Sequence, residues 1–179
     1  MQFYKKYFEE LSQFIADVDH EDLSKASDMV SKISGHNKVI IAGNGGSAAM
    51  ASHVTVDLLK AAKIRALNFN ESDLITCYAN DYGYENWVDQ ALMSYADEGD
   101  VVILISSSGQ SENIVNAAKR CNEIGLSLIT FSGFNSDNPL RSLGNINFWI
   151  NSVQYNYVEM THHVWLLAMI DHIISKKNL

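Results

Sequence analysis

The sequence predicts an α/β fold in three layers, a parallel β-sheet covered by helices on both faces. Two observations carry that reading. Short apolar runs such as Val101-Val102-Ile103-Leu104-Ile105 alternate with longer segments of helical periodicity, the pattern of strands buried on both sides and joined by crossover helices. Two of these runs also end in small polar residues, Gly43-Asn44-Gly45-Gly46-Ser47 and Ser106-Ser107-Ser108-Gly109-Gln110-Ser111, each directly before a helical segment. The chain has 179 residues, enough to bury a core as one domain, residues 1–179, and its 47% hydrophobic content is ordinary for a globular protein.

Taken in order, residues 2–17 set Phe3, Tyr7, Phe8, Leu11, Phe14 and Ile15 on one helical stripe. Such an aromatic stripe exceeds what a short terminal helix needs for its own domain. Residues 1–35 are therefore expected either to contribute to an oligomer interface or to fold back over the sheet edge. A second helix spans about residues 21–34, with Asp19 as N-cap and Gly35 as its stop. The strand at 38–42 enters the glycine loop. The helix after Ser47 carries His53 and Asp57 four residues apart, hence on one face, and precedes a short strand at 65–69. A helix at 72–79 leads to a polar, aromatic turn at 80–85 and a further helix to about Ala96. Strand 101–105, the serine loop and a helix to about Ile124 follow. Strands at 126–131 and 146–150 come next, and a closing helix at 157–175 ends the series.

Composition excludes several partners. A formal net charge of −8 with no local cluster of Lys and Arg argues against nucleic acid and acidic membranes. No apolar run approaches the ~18 residues of a membrane span, and the N-terminus lacks a signal-peptide core, so a cytoplasmic location is expected. Cys77 and Cys121 fall in helical segments without CxxC spacing and are expected to be reduced packing residues.

The two loops point to an anion. Glycines let backbone N–H groups approach a ligand closely, and the helix that follows turns its positive end toward the same spot. Four serines in six residues add hydroxyl donors, which suits an acidic chain that must hold phosphate without many cations. Serines that merely cap a helix are the plainer alternative, but a cap needs only one. Gly43-x-Gly45-x-x-Ala48 also satisfies a dinucleotide fingerprint. There the expected acidic residue could only be Glu71 or Asp73, and the serine loop would have no task.

Three motifs in register, Gly43-Asn44-Gly45-Gly46-Ser47-Ala48-Ala49 with His53, Asn80-Asp81-Tyr82-Gly83-Tyr84-Glu85, and Ile105-Ser106-Ser107-Ser108-Gly109-Gln110-Ser111, resemble the phosphoheptose isomerase branch of the sugar isomerase (SIS) domain family. The resemblance implies a flavodoxin-like five-stranded parallel sheet and a homotetramer with sites at subunit boundaries. It also implies conversion of sedoheptulose 7-phosphate to a heptose 7-phosphate for surface polysaccharide precursors. By the same resemblance, Ser106, Ser107, Ser108 and Ser111 hold the phosphate, Asn44, Gly45 and Ser47 meet the sugar, and Asp81 lies near its hydroxyls. The other role known for such domains, a noncatalytic phosphosugar-binding regulator or assembly protein, is the alternative.

The departures bear on catalysis. The family carries a histidine and, four residues on, a glutamate after the first loop; here the pair is His53 and Asp57, with a carboxylate one methylene shorter. The family's late histidine falls on Leu167. In its place the chain has Glu159 one helical turn from both His162 and His163. Glu159 is assigned as the base of an aldose–ketose isomerisation, His162 or His163 as the acid, and His53 with Asp57 as second candidates. No cofactor is expected to be required. Zinc, bound by some family members, is an alternative at His53, Asp57, Glu159 and His163.

Overall fold

The computed structural model describes residues 2–177. Five strands, β1 (Val39–Gly43), β2 (Ala66–Asn68), β3 (Val101–Ser106), β4 (Ser127–Ser132) and β5 (Ile146–Trp149), form one parallel sheet in the order β2-β1-β3-β4-β5. This is the flavodoxin-like order. The chain leaves β1 toward one edge and β3 toward the other, so the loops after these two neighbouring strands face one crevice at the switch point.

Alternation along the strands sorts the core into two halves. Val39, Ile41, Val101, Ile103, Ile105, Ile129 and Phe131 face one helical layer, while Ile40, Ala42, Val102, Leu104 and Leu128 face the other. The first layer holds α2 (His20–Ser31), α3 (Gly46–Lys60) and α7 (Tyr155–Lys177); the second holds α4 (Ser72–Tyr82), α5 (Trp87–Tyr95) and α6 (Glu112–Glu123).

Asp19 caps α2 as expected, accepting hydrogen bonds from the backbone N–H groups of Glu21 and Asp22. Helix α1 (Gln2–Ala16) buries no residue fully and packs on α7, not on the sheet edge. Tyr7 and Phe14 lie against the Tyr157 ring, Tyr157 donates to Glu10, and the Trp165 indole donates to the carbonyl of Ile15. Phe3, Tyr4 and Phe8 face outward.

Two further expectations are corrected. Asn80, Asp81 and Tyr82 continue α4 and do not form a turn; Gly83, at φ +85°, supplies the positive backbone angle that ends the helix. Cys77 is exposed on α4, because the apolar side of that short helix is supplied by Leu74, Ile75, Tyr78 and Ala79. Cys121 is buried, and burial first, with nearby Asp89, pushes its thiol up to about 12.

Candidate active site

The glycine loop is shaped by close approach. A β-carbon on Gly43 would stand 2.6 Å from that of Ser47 and 3.1 Å from the carbonyl oxygen of Ile105, so β1 can pass to α3 this tightly only without a side chain. Gly45 takes φ +54° and no side chain caps α3, which leaves the first N–H groups of that helix unclaimed by side chains. Between the glycines, Asn44 is held firmly. Its Nδ2 donates to Oδ1 of Asn113 at 3.0 Å, Asn113 Nδ2 donates back to its Oδ1 at 2.9 Å, and the Tyr84 hydroxyl donates to the same oxygen at 3.2 Å.

The serine loop is not a helix cap. Ser111 stands at the N-cap of α6, yet its side chain caps nothing; its hydroxyl accepts from Ser106 Oγ at 3.0 Å. The Ser108 hydroxyl accepts from the N–H of Gln110. Ser107 is buried and its hydroxyl finds no partner among the described residues. Beneath the loop, Gly109 at φ +66° packs so closely on Asn138 that a β-carbon there would stand 2.9 Å from that of the asparagine. Asn138 in turn donates to Ser132, Gly133 and Asn135, tying the loop to the end of β4.

Both loops open on one cleft of about 270 Å³, lined by Asn44, Gly45, Gly46, Ser47, Ser106, Ser107, Ser108 and Ser111, with Tyr155 and Glu159 from α7. Among the described residues no Lys or Arg lines it. The positive character comes from the amino ends of α3 and α6, which converge there, and from neutral hydroxyl and amide donors. Glu159 lies directly over Gly46: a β-carbon on that glycine would be 2.7 Å from its Cδ. It is thus not an acidic residue in the first turn of its own helix; it meets the positive end of α3.

The remaining candidates fall in three places. Asp57 faces Nε2 of His53 at 3.3 Å, and Nδ1 of His53 lies 2.9 Å from Nε2 of His163, with the rings edge to face. This line runs along the outer faces of α3 and α7, beside the cleft rather than in its wall. With Asp57 accepting from His53 Nε2–H, Nδ1 of a neutral His53 must accept from His163 Nε2–H, which leaves His163 Nδ1 free. Partial burial, then His53, lower the basicity of His163, against a smaller opposing pull from Asp57. Asp81 is exposed on the last turn of α4, where it accepts from Asn80 and lies 3.7 Å from the Cys77 sulfur. It does not line the cleft of this chain.

His162 is excluded as the acid. It is fully buried between Phe131 and Trp165, and its Nε2 faces a carbonyl oxygen, that of Ser132, at 3.0 Å, so that nitrogen must carry the proton. Burial drives its basicity down to about 4. The four side chains of the zinc alternative make other contacts in this structure. Both ring nitrogens of His53 are engaged by Asp57 and His163, Glu159 is drawn to Gly46, and among the described residues no group of three or more His, Cys, Asp or Glu is arranged to hold a metal. These four side chains form a hydrogen-bonded line and a separate carboxylate.

Three residues of the site escaped the sequence reading: Tyr155, Tyr84 and Asn113. Asn113 had a signal, since it is a polar residue on the same face of α6 as Ile114, Ala117, Ala118 and Cys121 and is just as buried. Tyr155 and Tyr84 are exposed aromatics whose roles depend on which loops lie beside them.

Residues 2–133 match the model of the SIS domain. A probable phosphoheptose isomerase of Thermoplasma acidophilum is 33% identical, covering 97% of this chain and 98% of its own length. The phosphoheptose isomerase of Aliarcobacter butzleri is 30% identical over 87% of each chain. Among solved structures, a phosphoheptose isomerase from Francisella tularensis superimposes with a TM-score of 0.87 over 98% of this chain and 97% of that one, at 24% identity. With its glycine and serine loops at the switch point of such a sheet, the chain belongs to the SIS domain family, in its phosphoheptose isomerase branch.

Proposed function

We propose that this protein is an aldose–ketose isomerase that converts sedoheptulose 7-phosphate to a heptose 7-phosphate, as a single domain in the cytoplasm, feeding surface polysaccharide precursors. The observation that carries the reading is the position of the Glu159 carboxylate. It stands at the amino end of α3, in the same cleft as a serine loop in which the Ser107 hydroxyl is unpartnered among the described residues and the Ser108 and Ser111 hydroxyls act only as acceptors, keeping their protons for a phosphate.

In this reading Ser106, Ser107, Ser108 and Ser111 hold the phosphate and Asn44, Gly45 and Ser47 meet the sugar. Glu159 takes the proton from C1 of the open-chain ketose while an acid gives one to O2, forming the enediol. Glu159 then returns its proton to C2 as O1 releases its own to the conjugate base of that acid, so no proton is gained or lost overall. His163, one turn from Glu159, is the acid in its imidazolium form, giving the proton on Nδ1 while Nε2–H stays on His53. The scheme uses no cofactor; stoichiometric zinc in protein purified without chelators would replace it.

A homotetramer accompanies this reading. Phe3, Tyr4 and Phe8 on α1, and Val56, Leu59, Met160 and Val164 on α3 and α7, are large apolar side chains left in water by one chain. Of the second group, Val56 and Met160 stand one helical turn from His53 and His163 respectively, and exposed Asp81 needs a neighbouring chain to meet a sugar. Light scattering of the purified protein tests the assembly.

The activity is tested by following sedoheptulose 7-phosphate by NMR for new anomeric signals. Turnover that falls about 1,000-fold in Glu159→Gln, and far less in Asp57→Asn, is the expected result. Binding without turnover of any ketose phosphate would instead favour the noncatalytic regulator.

A further inference from the structure

The paired carboxamides of Asn44 and Asn113 have a consequence for recognition. A carboxamide oxygen accepts two hydrogen bonds and the nitrogen donates two. Asn44 Oδ1 is filled by Asn113 Nδ2 and the Tyr84 hydroxyl, and one of the two Nδ2 protons goes to Asn113 Oδ1. One N–H is left for a ligand, and no acceptor. Asn113 is 2% exposed on α6, out of the cleft wall, so its own amide is spent wholly within the protein.

We infer that Asn113 is a positioning residue that, with Tyr84, makes Asn44 a donor only, so that the first loop reads an oxygen lone pair of the sugar and not a hydroxyl proton. The pair also bridges segments that would otherwise move independently. Asn44 follows β1, Asn113 opens α6 beyond the serine loop, and Tyr84 precedes α5. Holding all three fixes the spacing between the sugar end and the phosphate end of the cleft. The same bonds explain why an asparagine is buried among Ile114, Ala117 and Ala118: an unpaired carboxamide there would be costly.

The inference rests on the phosphosugar reading, and its test separates the two. Sedoheptulose 7-phosphate binding is measured by calorimetry and turnover by NMR for Asn113→Leu, Asn44→Ala and the double variant. Asn113→Leu is expected to weaken phosphosugar affinity and kcat/KM by about 10-fold in the native background and by less than about 2-fold when Asn44 is already alanine. Affinity for inorganic phosphate alone should stay within about 2-fold of the parent protein. Equal losses in both backgrounds would overturn the inference, because a merely structural residue acts whether or not Asn44 is present. Tyr84→Phe alters an exposed side chain and gives the same test should Asn113→Leu fail to fold: a loss of about 3-fold that disappears in the Asn44→Ala background supports the inference, and its persistence overturns it. Absence of turnover in the parent protein would sink the isomerase reading alone, since the coupling is still read in the binding data.

Discussion

The carboxylate of Glu159 fills the space that a side chain on Gly46 would need, with Oε1 only 2.8 Å from where a β-carbon would stand. The first residue of α3 is therefore a glycine for the sake of a residue 113 positions later in the chain. Alanine suits a helix better than glycine, so Gly46→Ala should leave the fold intact while pushing the carboxylate aside. Displacements of order 1 Å can cost about 100-fold in rate. The expected result is a kcat lowered about 100-fold with an unchanged thermal midpoint, checked by NMR turnover and circular dichroism.

Ser107 separates binding from stability. Its hydroxyl is buried without a partner, which is unfavourable for the protein alone and useful only to a ligand. Ser107→Ala is expected to raise KM for the phosphosugar about 10-fold while stability holds or rises slightly. Calorimetric binding and denaturant melts of the same preparation check both halves.

His162 gives stability a defined pH dependence. Burial lowers its pKa from 6.5 to about 4, so between these values the unfolded chain binds the extra proton and the folded chain does not. Stability is fully present above the unfolded value and is lost as pH falls through this window, by about 3 kcal/mol in total. Denaturant melts from pH 7 to pH 4 should show that loss in the native protein, and His162→Gln should lack it, so that the stability difference between the two proteins changes by about the same amount across the window.

Asp100 holds the opposite end of the sheet. It is fully buried before β3 and accepts from the backbone N–H groups of Lys38 and Asp97 and from the Lys38 ammonium at 2.7 Å. Asp100→Ala leaves that ammonium with only the more exposed Asp97, and should destabilise the protein by about 3–5 kcal/mol. The kcat of folded protein should not change, because the cleft lies at the other end of β3. Denaturant melts and turnover at low temperature check the two statements.

The sheet was legible because its causes are local. Segment 101–105 is apolar throughout and reads as a doubly covered strand, and the glycines after β1 announce a turn that few other residues could make. The serine loop at the cleft was legible for the same reason: four serines in six residues exceed the need of any cap, and the structure leaves Ser107 unpartnered among the described residues. The acid was not. His162 and His163 are adjacent and chemically identical in the sequence, yet a rotation of about 100° around α7 buries one against Phe131 and Trp165 and sets the other beside His53.

By itself, then, the sequence determined the α/β architecture, the two small-residue loops that meet at the cleft and Glu159 as the carboxylate to watch, since periodicity, glycine and local composition are properties of neighbouring residues. Only the tertiary structure decided that Glu159 meets the amino end of α3, that Asp57, His53 and His163 form one line, and that Asn113 and Tyr84 hold Asn44. Each of those facts joins residues from separate elements, and their relative positions are set by how α3, α6 and α7 pack on the sheet.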